Sequence, residues 1–238
     1  MSSSPSFTIR PAEPADVPAM ARVGLESFRL DRNTQVKAMG PNPYDHEGTM
    51  NELLPSWIAR TGERGFSVVA VDDVTGNILG WVCWGIATGG GPGWSAEKHD
   101  ANERAAREKP DPLARLGALT SADMTRWMDV FMTPNVRTMF ILSIAVHPDH
   151  QGRGVGSALI LTGCKRADEE GIYIWVHASE AGQPTFAKHG FEVVGEFDID
   201  LDEFAIAPPP RPELAREDGK WGHYVFRYMK RLPATSTA

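Results

Sequence analysis

Cysteine is nearly absent: Cys83 and Cys164 are the only two in 238 residues. One pair cannot build the disulfide framework of a small secreted domain, and neither thiol has further Cys or clustered His near it in sequence, so no metal site is expected. Long apolar runs are missing as well. No stretch reaches the roughly 18 to 20 residues of a membrane span. The start, Met1-Ser2-Ser3-Ser4-Pro5, has neither the basic residues nor the apolar run of a signal peptide. Basic excess is the third absence: Lys and Arg total 24 against 31 Asp and Glu, for a formal net charge of -7, which removes the footprint of a general nucleic-acid binder. The expectation is a cytoplasmic protein, monomer or homodimer, with neither nucleic acid nor membrane as partner.

What is present reads as a folded globular chain, with 42% hydrophobic and 23% charged residues. Phe7 to Arg10 alternates like a strand, and Pro11 to Asp16 leads into a helix whose free amides Asp16 can cap. Val17, Met20, Ala21, Gly24 and Phe28 fall on one face of that helix. A second helical stripe, Met50, Leu53, Leu54, Trp57 and Ile58, contains Pro55, where a break or kink is expected. Phe66 to Val71 and Ile78 to Trp84, joined by the turn residues 72–77, predict an antiparallel hairpin.

The Gly-rich stretch Gly89 to Gly93 and the charged segment Glu97 to Arg115 read as a solvated loop with some helix. Thr120 and Asp123 have the spacing of a capping box, ahead of Met124, Trp127, Met128 and Phe131 on one helical face. Phe140 to Val146 is an almost continuous apolar run suited to a central strand covered on both sides. Gly156 to Glu170 reads as a helix stopped by Gly171, Ile172 to Val176 as a strand, and Pro184 to His189 as a short helix ending at Gly190. Phe191 to Phe197 and Tyr224 to Met229 are two last strands, joined by a loop through Pro208 to Pro212. This order predicts one α/β domain over residues 7–232, a mixed sheet with helices on both faces, a helical and loop insert at 88–137 between the third and fourth strands, and loose ends at 1–6 and 233–238.

The segment richest in chemistry runs from Val146 to Leu159. It joins a buried strand to a helix, and its glycines let consecutive main-chain N–H groups point at one ligand at the positive end of the helix dipole, which suits a phosphate. The Walker pattern is excluded because Ser157 and Ala158, not Lys and Ser/Thr, follow Gly156. A dinucleotide fingerprint starting at Gly152 would need its third glycine at Ser157. What fits is Gln-x-x-Gly-x-Gly, as Gln151, Gly154 and Gly156.

That motif resembles the acyl-CoA pyrophosphate loop of the GNAT superfamily of N-acetyltransferases. The resemblance extends to Ile9-Arg10-Pro11-Ala12 with Asp16 at the start, and to Ala187-Lys188-His189-Gly190-Phe191 downstream. It implies a mostly antiparallel mixed sheet whose central strand pair splays apart to admit acetyl-CoA, with no metal. Main-chain groups of Ile144, Ala145 and Val146 would meet the pantetheine arm and thioester, with an N–H near Val146 polarising the thioester oxygen. Amides of Gln151, Gly152, Arg153, Gly154, Val155, Gly156 and Ser157 would hold the pyrophosphate, with Arg153 adding charge. Ser179 stands where the family often has an Asn on the cofactor arm, and Phe186 where many members carry a Tyr that protonates the leaving sulfur. Phe140 and Leu142 offer nothing titratable at positions where some relatives carry Glu or His, which leaves His177 as the candidate to relay a proton or contact substrate.

Other polar groups rank lower. His147 and His150 lie in a loop, not in a helical metalloprotease motif, and Glu26, Asp45, His46 and Glu47 flank the region that commonly forms the acceptor pocket and read as a solvated face. The expected activity is acetyl transfer to a small-molecule primary amine between walls made by Trp84, Trp127, Met128 and Trp57. The alternatives are acetylation of protein lysine or N-termini, and a non-catalytic acyl-CoA-binding module, the latter because Phe186 replaces the acid.

Overall fold

A computed structural model describes residues 6–40, 45–89 and 95–234. The glycines at 90–93, the first five residues and the last four lie outside the described residues. At the limits of the described residues, the Ser6 side chain and carbonyl bond to Asp73, and the Ala234 N–H donates to Asp168 at 2.7 Å.

The chain runs β1 (Phe7–Pro11), α1 (Val17–Ser27), α2 (Arg32–Lys37), α3 (His46–Ile58), β2 (Gly65–Asp72), β3 (Ile78–Thr88), α4 (Ala96–Arg107), α5 (Pro112–Phe131), β4 (Arg137–Val146), α6 (Val155–Glu170), β5 (Ile174–Ala178), α7 (Gln183–Ala187), β6 (Glu192–Asp200) and β7 (His223–Arg231). The seven strands form one sheet in the order β1-β2-β3-β4-β5-β7-β6. Every neighbouring pair is antiparallel except β4 with β5. The mixed sheet with helices on both faces is the one the sequence predicts.

Alternation along the strands sorts the apolar side chains onto two faces. One face carries Val82, Trp84, Met139, Ile174 and Val176, and is covered by Leu159, Ile160 and Cys164 of α6 and by Phe186 of α7. Opposite, Trp81 and Ala145 pack under Met20, Met50 and Leu54 of α1 and α3, while Phe140, Trp175 and Tyr228 pack under Phe131 of α5. Trp81 keeps its indole N–H satisfied by donating to the Met20 carbonyl at 2.8 Å.

Four local expectations are corrected. The charged segment after residue 95 is helical: Ser95 caps α4 by accepting from Lys98, and Asp111 caps α5 by accepting from Ala114. Thr120 and Asp123 therefore sit inside α5, where the Thr120 hydroxyl bonds back to Leu116 and Gly117 and Asp123 turns into the core. Helix α3 runs through Pro55 to Ile58, because a proline in the last turn removes only one bond near the end. Asp16 stands at the cap position of α1 without capping it; its carboxylate takes two bonds from the Arg10 guanidinium, at 2.7 and 2.8 Å, and one from the Glu13 N–H.

Candidate active site

The site begins at a failure of strand pairing. Strands β4 and β5 share only the register pairs Met139↔Ile174 and Phe140↔Trp175. Beyond them β4 continues from Ile141 to Val146 with β3 alone on its flank. A shift of register between Cys83 and Trp84 leaves Leu142 without a partner on β3, a bulge that bends β4 as it leaves β5. The His147 N–H donates to Leu79 of β3 at 2.8 Å. Because backbone groups alternate in direction along an antiparallel ladder, those of Val146 and Ile144 face the side that β5 has left. The Val146 carbonyl there accepts from the Gln151 side chain at 3.0 Å.

The chain then passes from β4 through a single turn, Pro148–His150, into α6. Gly152 and Gly154 hold φ of 70° and 85°, the left-handed region that a side chain disfavours. A Cβ added at either would meet nothing within 4 Å, so the conformation and not crowding by the protein calls for glycine, and the space before the loop is open. The helix ladder opens with Ala158 donating to Gly154 at 2.9 Å. Among the described residues the main-chain N–H groups of Gly152, Arg153, Gly154, Val155, Gly156 and Ser157 find no acceptor. Six donors at the start of a helix are fitted to a phosphate-bearing group. The Arg153 side chain is exposed beside them, whereas the Gln151 side chain braces the loop against Val146.

Phe186 is 3% exposed and packs edge-on against Phe191, within the core cluster under α6. The Ser179 hydroxyl oxygen accepts from the Gly182 N–H at 3.1 Å, which shapes the turn into α7. Trp84 is fully buried under α6 with its N–H on Thr162, so it belongs to the core and not to a pocket wall. Met128 is exposed, and Trp57 packs in the cluster under α1 and α3.

On the other face, His177 stands two residues beyond Trp175, at the first level where β5 has parted from β4. Its ring stacks on Phe226 and Tyr228, with centroids 4.5 and 4.7 Å away. Burial, reinforced by the charge of Lys37, pushes the His177 pKa down to about 3. The imidazole is neutral at physiological pH and a weak proton acceptor. Tyr228 donates its hydroxyl to Asp123 of α5 at 2.7 Å and stacks on Trp127, whose ring lies over Gly195 of β6 where any Cβ would come within 1.9 Å of it. Burial raises the Asp123 pKa, against the lowering effect of that hydroxyl bond.

The neighbouring Tyr224 donates to Asp31, ahead of α2. Arg32 on α2 is buried and donates to the carbonyls of Trp221 and His223 and to Glu180 at 2.6 Å, and Arg216 reaches the same carboxylate at 3.1 Å. These pairs tie α2, the turn after β5 and the β6–β7 connection into one wall. None follows from spacing in the sequence; the one visible signal is the alternation of Tyr224, Phe226 and Tyr228, which puts three rings on one face of a strand. The residues expected to form a solvated face divide: Asp45 caps α3 by accepting from Gly48 at 2.8 Å, whereas His46 is buried beside Phe28. His147 and His150 lie near each other, and among the described residues no three His, Cys, Asp or Glu side chains are grouped to hold a metal ion. Among the same residues no helix is long and apolar enough to cross a membrane.

Comparison with known proteins agrees with this geometry. Arylalkylamine N-acetyltransferase 2 from Aedes aegypti superposes with a TM-score of 0.62 at 16% identity, covering 96% of this chain and 100% of that one. The polyamine N-acetyltransferase of Drosophila melanogaster gives 0.60 at 14% identity, over 95% and 100% of the two chains. A structure from Corynebacterium glutamicum, described as histone acetyltransferase HPA2 and related acetyltransferase, gives 0.54 at 21% identity over 98% and 99%. At such identities the likeness is one of fold. The sequence model of the acetyltransferase (GNAT) family matches residues 37–191, from the last residue of α2 to the residue before β6, and the chain belongs to that family.

Proposed function

We propose that the protein transfers the acetyl group of acetyl-CoA to a small-molecule primary amine, by direct attack with both substrates bound. The observation that carries this reading is the continuity of the parted strand with the loop: the stretch of β4 abandoned by β5 leads straight into the free amides of residues 152–157. Acetyl-CoA, when bound, supplies an acetyl group activated as a thioester. Gly152, Arg153, Gly154, Val155, Gly156 and Ser157 would hold its diphosphate, and the main chain of Ile144, Ala145 and Val146 would line its arm. The Val146 N–H, turned into the gap, is placed to stabilise negative charge growing on an oxygen there. Ser179 keeps a hydroxyl proton to offer beside the gap, and Phe186 contributes an apolar surface that excludes water.

The amine enters from the opposite face, along His177, Phe226 and Tyr228. His177, neutral at working pH, orients the amine by hydrogen bonding and adds no charge that would repel it. With no strong base among these residues, the amine loses its proton to solvent, and the rate rises with pH as the free-amine fraction grows. Helices α4 and α5 close the far side of this face, held together by Lys98 and Asp129 at 2.6 Å, which favours a compact acceptor over an extended peptide.

The test is twofold. Acetyl-CoA at a hundred times its Kd should stabilise the fold by about 2.7 kcal/mol through linkage. Free thiol should then appear when an amine panel is added. Absence of any thermal shift with acetyl-CoA overturns the proposal. One observation favours a second reading, a non-catalytic acyl-CoA-binding module: the apolar Phe186 where an acid would stand. A thermal shift without thiol release across the panel, even at high pH, would select it. A large rate gain in Phe186→Tyr would show that the acid had been lost.

A further inference from the structure

Lys37 closes α2 on the acceptor-side face and is half-buried, close enough for its charge to act on His177. Its Nζ donates to the Thr120 hydroxyl oxygen at 3.2 Å, and that hydroxyl spends its own proton on the carbonyls of Leu116 and Gly117. Among the described residues no carboxylate lies within ion-pair distance of Lys37. The carboxylates of this wall are engaged elsewhere. Asp31 accepts from the Thr34 N–H and hydroxyl and from Tyr224; Asp123 accepts from Tyr228; Glu180 accepts from Arg32, Arg216 and the Val225 N–H.

An ammonium partly withdrawn from water with only a neutral partner is costly, and an incoming anion relieves that cost. Burial accordingly pulls the Lys37 pKa down, against the distant pull of Asp31. One turn earlier on α2, Asn33 is 7% exposed and its side-chain oxygen has no donor. Positions four apart share a helix face. The α2 face thus carries a half-buried cation lacking an anion, with an acceptor lacking a donor buried one turn earlier, and the cation is the complement of a molecule that carries a carboxylate.

We propose that Lys37 anchors a carboxylate on the acceptor, so that the amine acetylated here belongs to an amino acid or a related amino-carboxylate and not to a simple alkylamine. This rests on the acetyl-transfer reading above. Binding through Lys37 places the acceptor between α2 and the His177 ring, with its amine free to turn toward the gap between β4 and β5.

The experiment compares matched acceptors that differ only by the carboxylate: arginine with agmatine, tryptophan with tryptamine, tyrosine with tyramine. Thiol release gives kcat/KM for each with the full chain and acetyl-CoA. The wild type should favour the carboxylated member of at least one pair, and Lys37→Met should lower that preference by about tenfold to a hundredfold, the range of a charge-assisted hydrogen bond. Lys37→Arg should keep part of it. The wild-type ratio stands even if Lys37→Met fails to fold. A wild-type preference for the carboxylate-free member of every pair overturns the inference, as does a ratio unmoved in folded Lys37→Met. An acetyl adduct on Lys37 in peptide mapping also overturns it, since Lys37 would then be a nucleophile and not an anchor. Thiol release with the wrong ratios leaves acetyl transfer standing, whereas no release from any amine removes both.

Discussion

The two faces of the sheet are built by different means. On the α6 face, the proposed coenzyme surface is made of main chain: a strand end, two glycines with positive φ and a row of unbonded amides. On the α2 and α5 face, the proposed acceptor surface is made of side chains that meet from far apart in sequence, such as Asp123 with Tyr228, Asp31 with Tyr224, and Arg32 with Glu180. A surface of main-chain amides needs only glycine at a few positions and leaves the other residues free. A surface of side chains changes with every substitution, so it is where specificity for the amine can reside.

The contrast can be broken most sharply at Trp175, which is 3% exposed and stacks on Phe131 and Phe140. Trp175→Ala should cost about 3–5 kcal/mol in denaturant unfolding. The folded variant should still show the acetyl-CoA thermal shift; loss of that shift would mean that the faces are not separable. Next comes Tyr228→Phe, which strips the buried Asp123 carboxylate of its donor and should cost about 1–3 kcal/mol. Asp123 has its pKa raised in the fold, so stability linked to it is complete below the ordinary carboxylate value and is lost as pH rises through the raised one. The Tyr228→Phe penalty should therefore grow from acid to neutral pH, and a pH-independent penalty would contradict the burial argument.

Gly154→Ala tests the other face. Forcing a side chain into its left-handed conformation costs about 1–2 kcal/mol. The larger consequence should be functional, a much weakened acetyl-CoA thermal shift with the acceptor face intact. The smallest effect is expected at Asp16, outside both surfaces. Its pKa is lowered chiefly by the Arg10 bonds, so that contribution is present above the ordinary carboxylate value and lost as pH falls. With Arg10 37% exposed, Asp16→Asn should cost no more than about 1 kcal/mol at neutral pH, a deficit that disappears in acid.

The same contrast decides what could be read in advance. The hairpin of β2 and β3, the central β4, the loop and α6 announce themselves through period, turn residues and glycine spacing, which are local. The errors fall where tertiary context overrides a local signal. Thr120 and Asp123 have the spacing of a helix cap, yet Asp111 caps the helix nine residues before Thr120 and Asp123 serves Tyr228 instead. Trp84, a candidate wall, is sealed under α6. Lys37, a single lysine in a short polar helix, carries no local signature at all.

By itself the sequence determined the alternation of strands and helices and the amide-lined turn between β4 and α6, because these depend on backbone preferences and on side chains within a few positions of each other. Only the tertiary structure decided where β5 parts from β4, which donors the carboxylates of the α2 and α5 face engage, and that Lys37, among the described residues, has a hydroxyl and no carboxylate beside it. Those outcomes depend on distances between residues tens of positions apart, and burial sets the strength of every such contact.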